Sequence, residues 1–285
     1  MVILVRFGEL GLKSPYVRKQ LLDRLVGNIQ DLFAAEGIEC LTRSDRGRVY
    51  VDANDLAAAT GALHRVFGIV SFSPARETSS EPEAVASLAV DVAKARLRGG
   101  GSFAIRARRS GTHTYSSQDL ATLLGRRIQE AVPGARVDLS SPEVEVRVEV
   151  RENKAYVFDK VVDGPGGLPM GSQGRAVALV DSEAGMAAAW LAMKRGCKVT
   201  IAAPDGSAAH EPLRRWDTHL KVLSYEPGQD LADLVKASRS EAVFTGTRAD
   251  EIRDEKPALG VPVFHPVVGM DAGEVRALAE RIRAA

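Results

Sequence analysis

Residues 163–180 read DGPGGLPMGSQGRAVALV, and the grammar of the chain changes inside them. Up to Gly174 the stretch is glycine and proline punctuation, the mark of a turn-rich boundary. From Ala176 to Val180 it becomes an unbroken apolar run, as expected for a strand of a parallel sheet buried on both faces. A helix is expected next, from about 183 to 195. Strands over 198–202, 222–225, 242–245 and 261–265, with helices over 230–237 and from about 271, continue the alternation. Strands alternating with helices predict a doubly wound, Rossmann-like α/β domain over residues 175–285.

Upstream of the boundary the patterns are of the α+β kind. Residues 2–7 are rich in β-branched side chains and read as a strand, broken at Gly8 and Gly11. Ser14 is a good N-cap and Pro15 fits a first helical position. Val17, Leu21, Leu25, Ile29, Leu32 and Phe33 then form a helical stripe, which Gly37 stops. Strands over 38–42 and 48–52 flank a turn at 44–47, and a helix is expected over 55–66. This β-α-β-β-α order suits a ferredoxin-like domain over residues 1–60. A second α+β domain is expected over 61–165. It comprises a strand at 68–73, a helix opened by Pro82, a strand at 103–108, and a helix from Ser116 or Ser117 to about Ala131. Val144, Val146, Val148 and Val150 then alternate with charged residues, and a hairpin partner is expected over 155–161.

The chain has 285 residues and a net charge of only +1, so the distribution of charge matters more than its sum. No apolar run approaches the roughly 20 residues of a membrane span. The opening MVILVRFGEL is too short and too quickly charged for a signal peptide. A cytoplasmic protein with no membrane partner is expected. Cys40 and Cys197 belong to no CxxC pair, so no metal site and no redox motif is expected, and both read as small buried hydrophobes.

Charge concentrates between Lys94 and Arg127. Lys94, Arg96, Arg98, Arg106, Arg108, Arg109, Arg126 and Arg127 lie there, with Asp119 the one acid among them. Arg106 and Arg108 share a strand face, and Arg109 extends the row past the expected strand end. The cluster is either a solubilising face or a footprint for phosphates, which the planar arginine fork suits. His113 and Tyr115 lie just beyond, placed where an aromatic ring can stack on an unpaired base. Arg6, Lys13, Arg18 and Lys19 crowd the first helix start, where cations oppose the helix dipole. Gly164, Gly166 and Gly167 either let backbone N–H groups approach a phosphate or make a plain interdomain turn.

Several segments resemble one family. RFGELGLKSPYVRKQLLDRLVGNI (6–29) resembles the opening of the tRNA 4-thiouridine synthases, the tRNA sulfurtransferase or ThiI family. VFGIVSFSPA (66–75) and FAIRARRSGTHTYSSQDL (103–120) resemble the entry and the basic RNA-contacting segment of that family's THUMP domain. VDGPGGLPMGSQGRAVALV (162–180) resembles the junction into its pyrophosphatase-loop domain. AAWLAMKRGCKV (188–199) and VFHPVVGMDAGEVRALAERI (263–282) resemble that domain's first helix and last segment. The resemblance runs through nearly the whole chain in matching order. It implies two N-terminal domains that bind tRNA near its acceptor end. It further implies a third domain that activates a uridine with ATP and accepts sulfur from a persulfide-bearing partner, making 4-thiouridine at position 8.

One departure changes that expectation. Active members carry Ser-Gly-Gly-x-Asp-Ser between the first strand and helix of the third domain, and its N–H groups wrap the ATP pyrophosphate. Here the place is taken by Val180, Asp181, Ser182, Glu183, Ala184 and Gly185. Both loop glycines are gone, and Asp181 and Glu183 stand where a polyanion would bind. Each would repel it by about 1–4 kcal/mol at 4 Å. The region from Gly196 to Gly246 is too short for the family's middle portion. It has no counterpart of the arginine-rich helix or the sulfur-relay cysteine, and Cys197 reads as structural. Thr245-Gly246-Thr247 resembles the family's Thr-Gly-Glu but lacks the polar residues that come next in the family. His265 falls where the family often has arginine, while Gly269-Met270-Asp271 is retained.

The chain is therefore expected to bind tRNA as a non-catalytic or partner-dependent component of tRNA modification. The alternative is an active ATP-dependent tRNA sulfurtransferase with parts supplied by a partner chain. The expected RNA-binding residues are Arg6, Lys13, Arg18, Lys19, Arg106, Arg108, Arg109, His113, Arg126 and Arg127. No catalytic residue, metal or cofactor is assigned. The implied partners are the tRNA acceptor-end region, a second copy of the chain as a homodimer, and a separate sulfur-transfer or adenylating protein.

Overall fold

The computed structural model describes residues 1–8, 14–45, 47–97, 99–226, 229–252 and 259–285. Its elements begin with β1 (Val2–Phe7), α1 (Pro15–Ala35), β2 (Cys40–Ser44), β3 (Val49–Ala53) and α2 (Leu56–Leu63). Next come β4 (Ile69–Ser79), α3 (Pro82–Arg96), β5 (Gly101–Ser110), α4 (Ser117–Ala131), β6 (Ala135–Val137), β7 (Val144–Arg151), β8 (Lys154–Phe158) and β9 (Val162–Asp163). The last stretch holds β10 (Arg175–Leu179), α5 (Glu183–Lys194), β11 (Lys198–Pro204), β12 (Lys221–Tyr225), α6 (Leu231–Ser238), β13 (Ala242–Phe244), β14 (Val263–Phe264) and α7 (Ala272–Ala284). Two compact units emerge. One contains Met1–Val5, Tyr50–Leu56 and Phe72–Val162; the other contains Arg6–Val49, Ala57–Ser71 and Asp163–Ala285.

In the first unit the strands run in the order β3-β1-β4-β8-β7-β5-β6. β8 is antiparallel to both β4 and β7, whereas β5 is parallel to β7 and β6. The alternation in β7 sorts its two faces. Val146, Val148 and Val150 pack with Phe103 against Leu88 of α3 and Leu120, Leu124 and Ile128 of α4. Glu145, Arg147, Glu149 and Arg151 fall on the opposite face. On that face, toward β1, lies a second core of Val2, Leu4, Tyr50, Ala75, Tyr156 and Phe158. α4 starts with a reciprocal capping box, in which Ser116 Oγ accepts the Asp119 N–H and the Asp119 carboxylate accepts the Ser116 N–H.

β4 and β5 are longer than the sequence expectation. Pro74 argues for a strand end, because proline cannot donate to a ladder. β4 nevertheless continues to Ser79, since β8 offers it a partner from Arg76 onward. β5 continues to Ser110 because it stays in register with β7 to Arg151.

The second unit holds a parallel sheet in the order β12-β11-β10-β13-β14. β10 is buried on both faces. Ala176, Ala178 and Val180 meet Met186 and Trp190 of α5 and Leu278 of α7, while Val177 meets Leu234 and Val235 of α6. The strand order reverses between β10 and β13, where open α/β sheets leave a crevice at the carboxyl ends. An aromatic cluster anchors the α5 side: Phe67 stacks on Trp216 with centroids 5.1 Å apart and meets Trp190 edge-on at 5.3 Å. Helix α1 belongs to this unit, and Asn28 Nδ2 donates to the Met170 carbonyl (3.1 Å).

The glycine-rich boundary is a packing device, not a phosphate cradle. Gly164 and Gly166 donate their N–H groups to the Val70 and Ile69 carbonyls, at 2.9 and 2.8 Å. Gly167 has φ +78°, and a Cβ on it would lie 2.2 Å from the Lys194 carbonyl oxygen. Gly166 has φ +68° with open space around it. Gly166→Ala is therefore expected to destabilise by only the left-handed cost, about 1–2 kcal/mol. Gly167→Ala adds a backbone clash and should cost at least about 2 kcal/mol more. Urea midpoints of the two variants check this, and equal midpoints would contradict the close approach.

Candidate functional site

Two regions carry the chemistry that the sequence singles out. In the first unit, Arg106 and Arg108 project from the β5 face opposite α3 and α4, as their spacing predicts. Arg109 lies inside the strand, not beyond it, and alternates to the other face, across from Val150. Its guanidinium donates to the Gly111 carbonyl (3.1 Å).

The structure also supplies acids that the local window lacks. Arg106 donates to Glu145 (2.9 Å) and to the Leu139 carbonyl. Glu145 also pairs with Arg147, and the hydrogen bond from Arg106, foremost among these contacts, holds its carboxyl below the usual range. Arg96 pairs with Asp159. Arg127 is held by Glu83 (3.0 Å) and Glu130 (3.5 Å), and Arg126 lies 4.0 Å from Glu130. Asp119, the one acid inside the window, is engaged in its cap. Across from Arg108 stands Glu149, which lies 3.6 Å from Arg151. Arg108 itself has no ion pair or hydrogen bond among the described residues, and it is exposed.

His113 Nε2 faces the Glu152 carbonyl oxygen at 2.6 Å, which makes it the protonated nitrogen, and its Nδ1 is buried without a partner. Tyr115 is committed to packing. Its hydroxyl donates to the Ser80 carbonyl, its ring lies against the α3–α4 core, and burial pushes its phenol pKa up. Of the opening cations, Lys13 lies outside the described residues, as does Arg98. Lys19 pairs with Asp23 (2.7 Å), whose carboxylate raises the ammonium pKa. Arg6 and Arg18 are half-buried and have partners of their own.

In the second unit the segment from Val180 to Gly185 links β10 to α5. Val180 is buried and Asp181 exposed. Ser182 caps the helix, its Oγ accepting the Gly185 N–H (3.2 Å). Glu183 turns to Arg283 of α7, at 2.7 Å. The anion-repelling charge at this helix start thus falls on Asp181 alone. Burial and Asp181 together push the Tyr225 phenol up. The remaining glycines serve packing. A Cβ on Gly185 would lie 2.5 Å from the Leu179 oxygen, and one on Gly246 would lie 2.4 Å from the Gly185 nitrogen.

At the carboxyl ends of β10 and β13 a cavity of about 1110 Å³ is bounded by Asp181, Ser182, Thr245, Thr247 and His265, with apolar walls such as Val243 and Val263. Thr245 Oγ1 bonds to Thr247 Oγ1 (2.7 Å) and to His265 Nδ1 (2.6 Å). This hydrogen-bonded chain escapes a linear reading, because its members come from two strands some 20 residues apart. The Glu183–Arg283 pair escapes it for the same reason.

Among the described residues no cluster of His, Cys, Asp or Glu could hold a metal ion, and no helix is long and apolar enough to cross a membrane. Cys197 is buried, with its Sγ 3.9 Å from the Gln173 carbonyl oxygen. Cys40 is only half-buried, at the start of β2.

Comparison with known proteins places these features. Residues 2–73 match the family model of the ThiI ferredoxin-like domain, and residues 80–159 that of the THUMP domain. A probable tRNA sulfurtransferase of Methanosarcina acetivorans is 31% identical over 333 aligned positions, covering 99% of this chain and 81% of the relative. That of Methanobrevibacter smithii is 38% identical, covering 99% and 86%. PH1313 from Pyrococcus horikoshii shares the fold with a TM-score of 0.86 at 26% identity, covering 99% of both chains. A 4-thiouridine synthetase solved with RNA and ATP shares it with a TM-score of 0.81 at 23% identity, covering 99% of this chain and 84% of the other. The fold is therefore an N-terminal ferredoxin-like domain, a THUMP domain and a C-terminal parallel-sheet domain.

Burial pushes both thiols up, which starves them of the reactive thiolate. With iodoacetamide at mildly alkaline pH, Cys40 should alkylate first. Cys197 should react at least about tenfold more slowly until the chain is unfolded. Peptide mass spectrometry over time reads the order, and rapid labelling of Cys197 in the native protein would contradict its buried placement.

Proposed function

The chain belongs to the tRNA sulfurtransferase family, and on that premise we propose that it binds tRNA and serves tRNA modification without adenylating the substrate itself. The observation that carries the second half is the β10–α5 turn. An exposed carboxylate, Asp181, occupies the mouth of the helix where a phosphate loop would need bare N–H groups, and Gly185 and Gly246 are consumed in backbone packing. The relatives also carry residues with no counterpart here, since the alignment runs over 333 positions for a chain of 285.

The tRNA side of the reading rests on the THUMP domain and on β5, where Arg108 is exposed without an internal partner. Arg6, Lys13, Arg18, Lys19, Arg106, Arg109, His113, Arg126 and Arg127 complete the proposed contact set. The proposed division of labour assigns RNA to residues 1–60 and 61–165, and a degenerate nucleotide domain to 175–285. A homodimer, or a separate adenylating or sulfur-transfer protein, would supply the missing chemistry, in the cytoplasm.

A second reading, an active ATP-dependent sulfurtransferase completed by a partner, is favoured by the 1110 Å³ cavity at the strand ends. Titration of ATP with and without tRNA separates the two. The first reading expects no measurable ATP affinity and no ATP–pyrophosphate exchange in either case.

Fluorescence anisotropy with labelled tRNA tests the RNA half. Binding should weaken steeply with salt. Arg108→Ala with Arg109→Ala should weaken it by about 10- to 100-fold and flatten the salt slope by about one to two. Arg108→Ala alone should account for most of this, since Arg109 faces the other way. Salt-independent binding, or a double variant that binds like the parent, would sink the proposal.

A further inference from the structure

At the amino ends of β10 and β11 the second unit holds a cavity of about 380 Å³, walled by α1, residues 170–175 and residues 216–219. We propose that this cavity is a binding pocket for a phosphate ester, gripped by Arg24 and Arg175. It is independent of the β5 surface and lies at the opposite end of β10 from Asp181.

Strand register sets two cations side by side. Arg175 opens β10 and Lys198 opens β11, and the two are direct partners in the parallel ladder. Like charges set side by side in a sheet destabilise it unless something neutralises them. The buried acid of the lining is Asp217, which is 2% exposed. It is fully engaged with Lys198, whose Nζ donates to both of its oxygens (2.8 and 2.7 Å), and it also accepts the His219 N–H (3.0 Å). Arg175 is left exposed, and its guanidinium has no ion pair or hydrogen bond among the described residues.

A second free guanidinium approaches from the other wall. Arg24 of α1 is exposed and likewise has no partner among the described residues. It lies over Gly171, where a Cβ would come within 3.7 Å of it. The remaining arginine of the lining shows the contrast: Arg65 is clamped by both oxygens of Glu36 (2.5 and 2.9 Å). The unit thus satisfies the cations it uses for structure and leaves two open across one cavity.

Two carboxylates argue against an anion here. Asp31, on α1, is exposed at the rim, and Glu241 lies beside Gly174. Neither pairs with Arg24 or Arg175. Two planar forks from opposite walls suit a tetrahedral oxyanion better than a carboxylate, because they can take separate pairs of its oxygens. The phosphate belongs either to the backbone of a bound RNA or to a free mononucleotide, and the two sources are separable by experiment.

The test is a nuclear magnetic resonance titration of the full chain with inorganic phosphate and with AMP, following the amides of Gly171, Gly174 and His219. Saturable shifts are expected. In Arg24→Gln with Arg175→Gln the affinity should fall at least about tenfold, and in Asp31→Asn it should rise. An unchanged spectrum elsewhere shows that the variants are folded. No saturable shift in the parent, the same titration in the double variant, or equal shifts with chloride would each overturn the site. If the shifts hold, tRNA anisotropy of the double variant identifies the source. A salt slope flatter by about two assigns the phosphates to RNA, and an unchanged slope assigns a small ester. Because Arg108 is intact in these variants, failure here leaves the tRNA reading of β5 untouched, and the reverse also holds.

Discussion

β10 is covered on both faces, and much of the second unit's chemistry derives from that burial. A strand with helices on either side can tolerate no polar side chain along its length, because an unpaired polar group in that position costs several kcal/mol. Ala176, Val177 and Ala178 obey the constraint and are essentially inaccessible. Polar groups are driven to the two ends. At the carboxyl end stand Asp181 and Ser182, facing Thr245 and His265 across the point where strand order reverses. At the amino end stands Arg175, set beside Lys198 by register. One buried strand thereby places an acidic mouth at one end of the sheet and a basic one at the other.

The acidic mouth sets a carboxylate beside a helix start. A helix start favours phosphate through its dipole and its unpaired N–H groups. Here Ser182 takes up the Gly185 N–H, and Gly246 packs so closely that no side chain fits between the two segments. Asp181 is exposed beside this helix start. Glu183, which looks equally hostile in sequence, is drawn off to Arg283.

In the first unit the opposing consideration is internal neutralisation. The alternation of β7 that buries its valines also puts Glu145 and Glu149 on the face that Arg106 and Arg108 occupy. Glu145 thereby pairs Arg106, while Asp159, Glu130 and Glu83 pair Arg96, Arg126 and Arg127 from elsewhere in the fold, and exposed pairs of this kind add little stability. Among the described residues of the cluster, Lys94 and Arg108 are exposed without an ion pair or hydrogen bond.

Local pattern alone was enough for the elements whose period is strong. The stripe from Leu21 to Phe33, the alternation from Val144 to Val150 and the apolar run from Ala176 to Val180 all appear where their spacing puts them. Tertiary structure decided what depends on partners from elsewhere in the chain. β4 passes through Pro74 because β8 pairs with Arg76 to Ser79, and Arg109 faces away from Arg108 because β5 stays in register with β7. Glu83, Glu145 and Asp159 neutralise arginines from outside any local window. His265 joins Thr245 only across adjacent strands, and Arg24 meets Arg175 only through a cavity that folding creates. Periodicity and composition are properties of neighbours along the chain, whereas pairing, facing and enclosure are properties of neighbours in space.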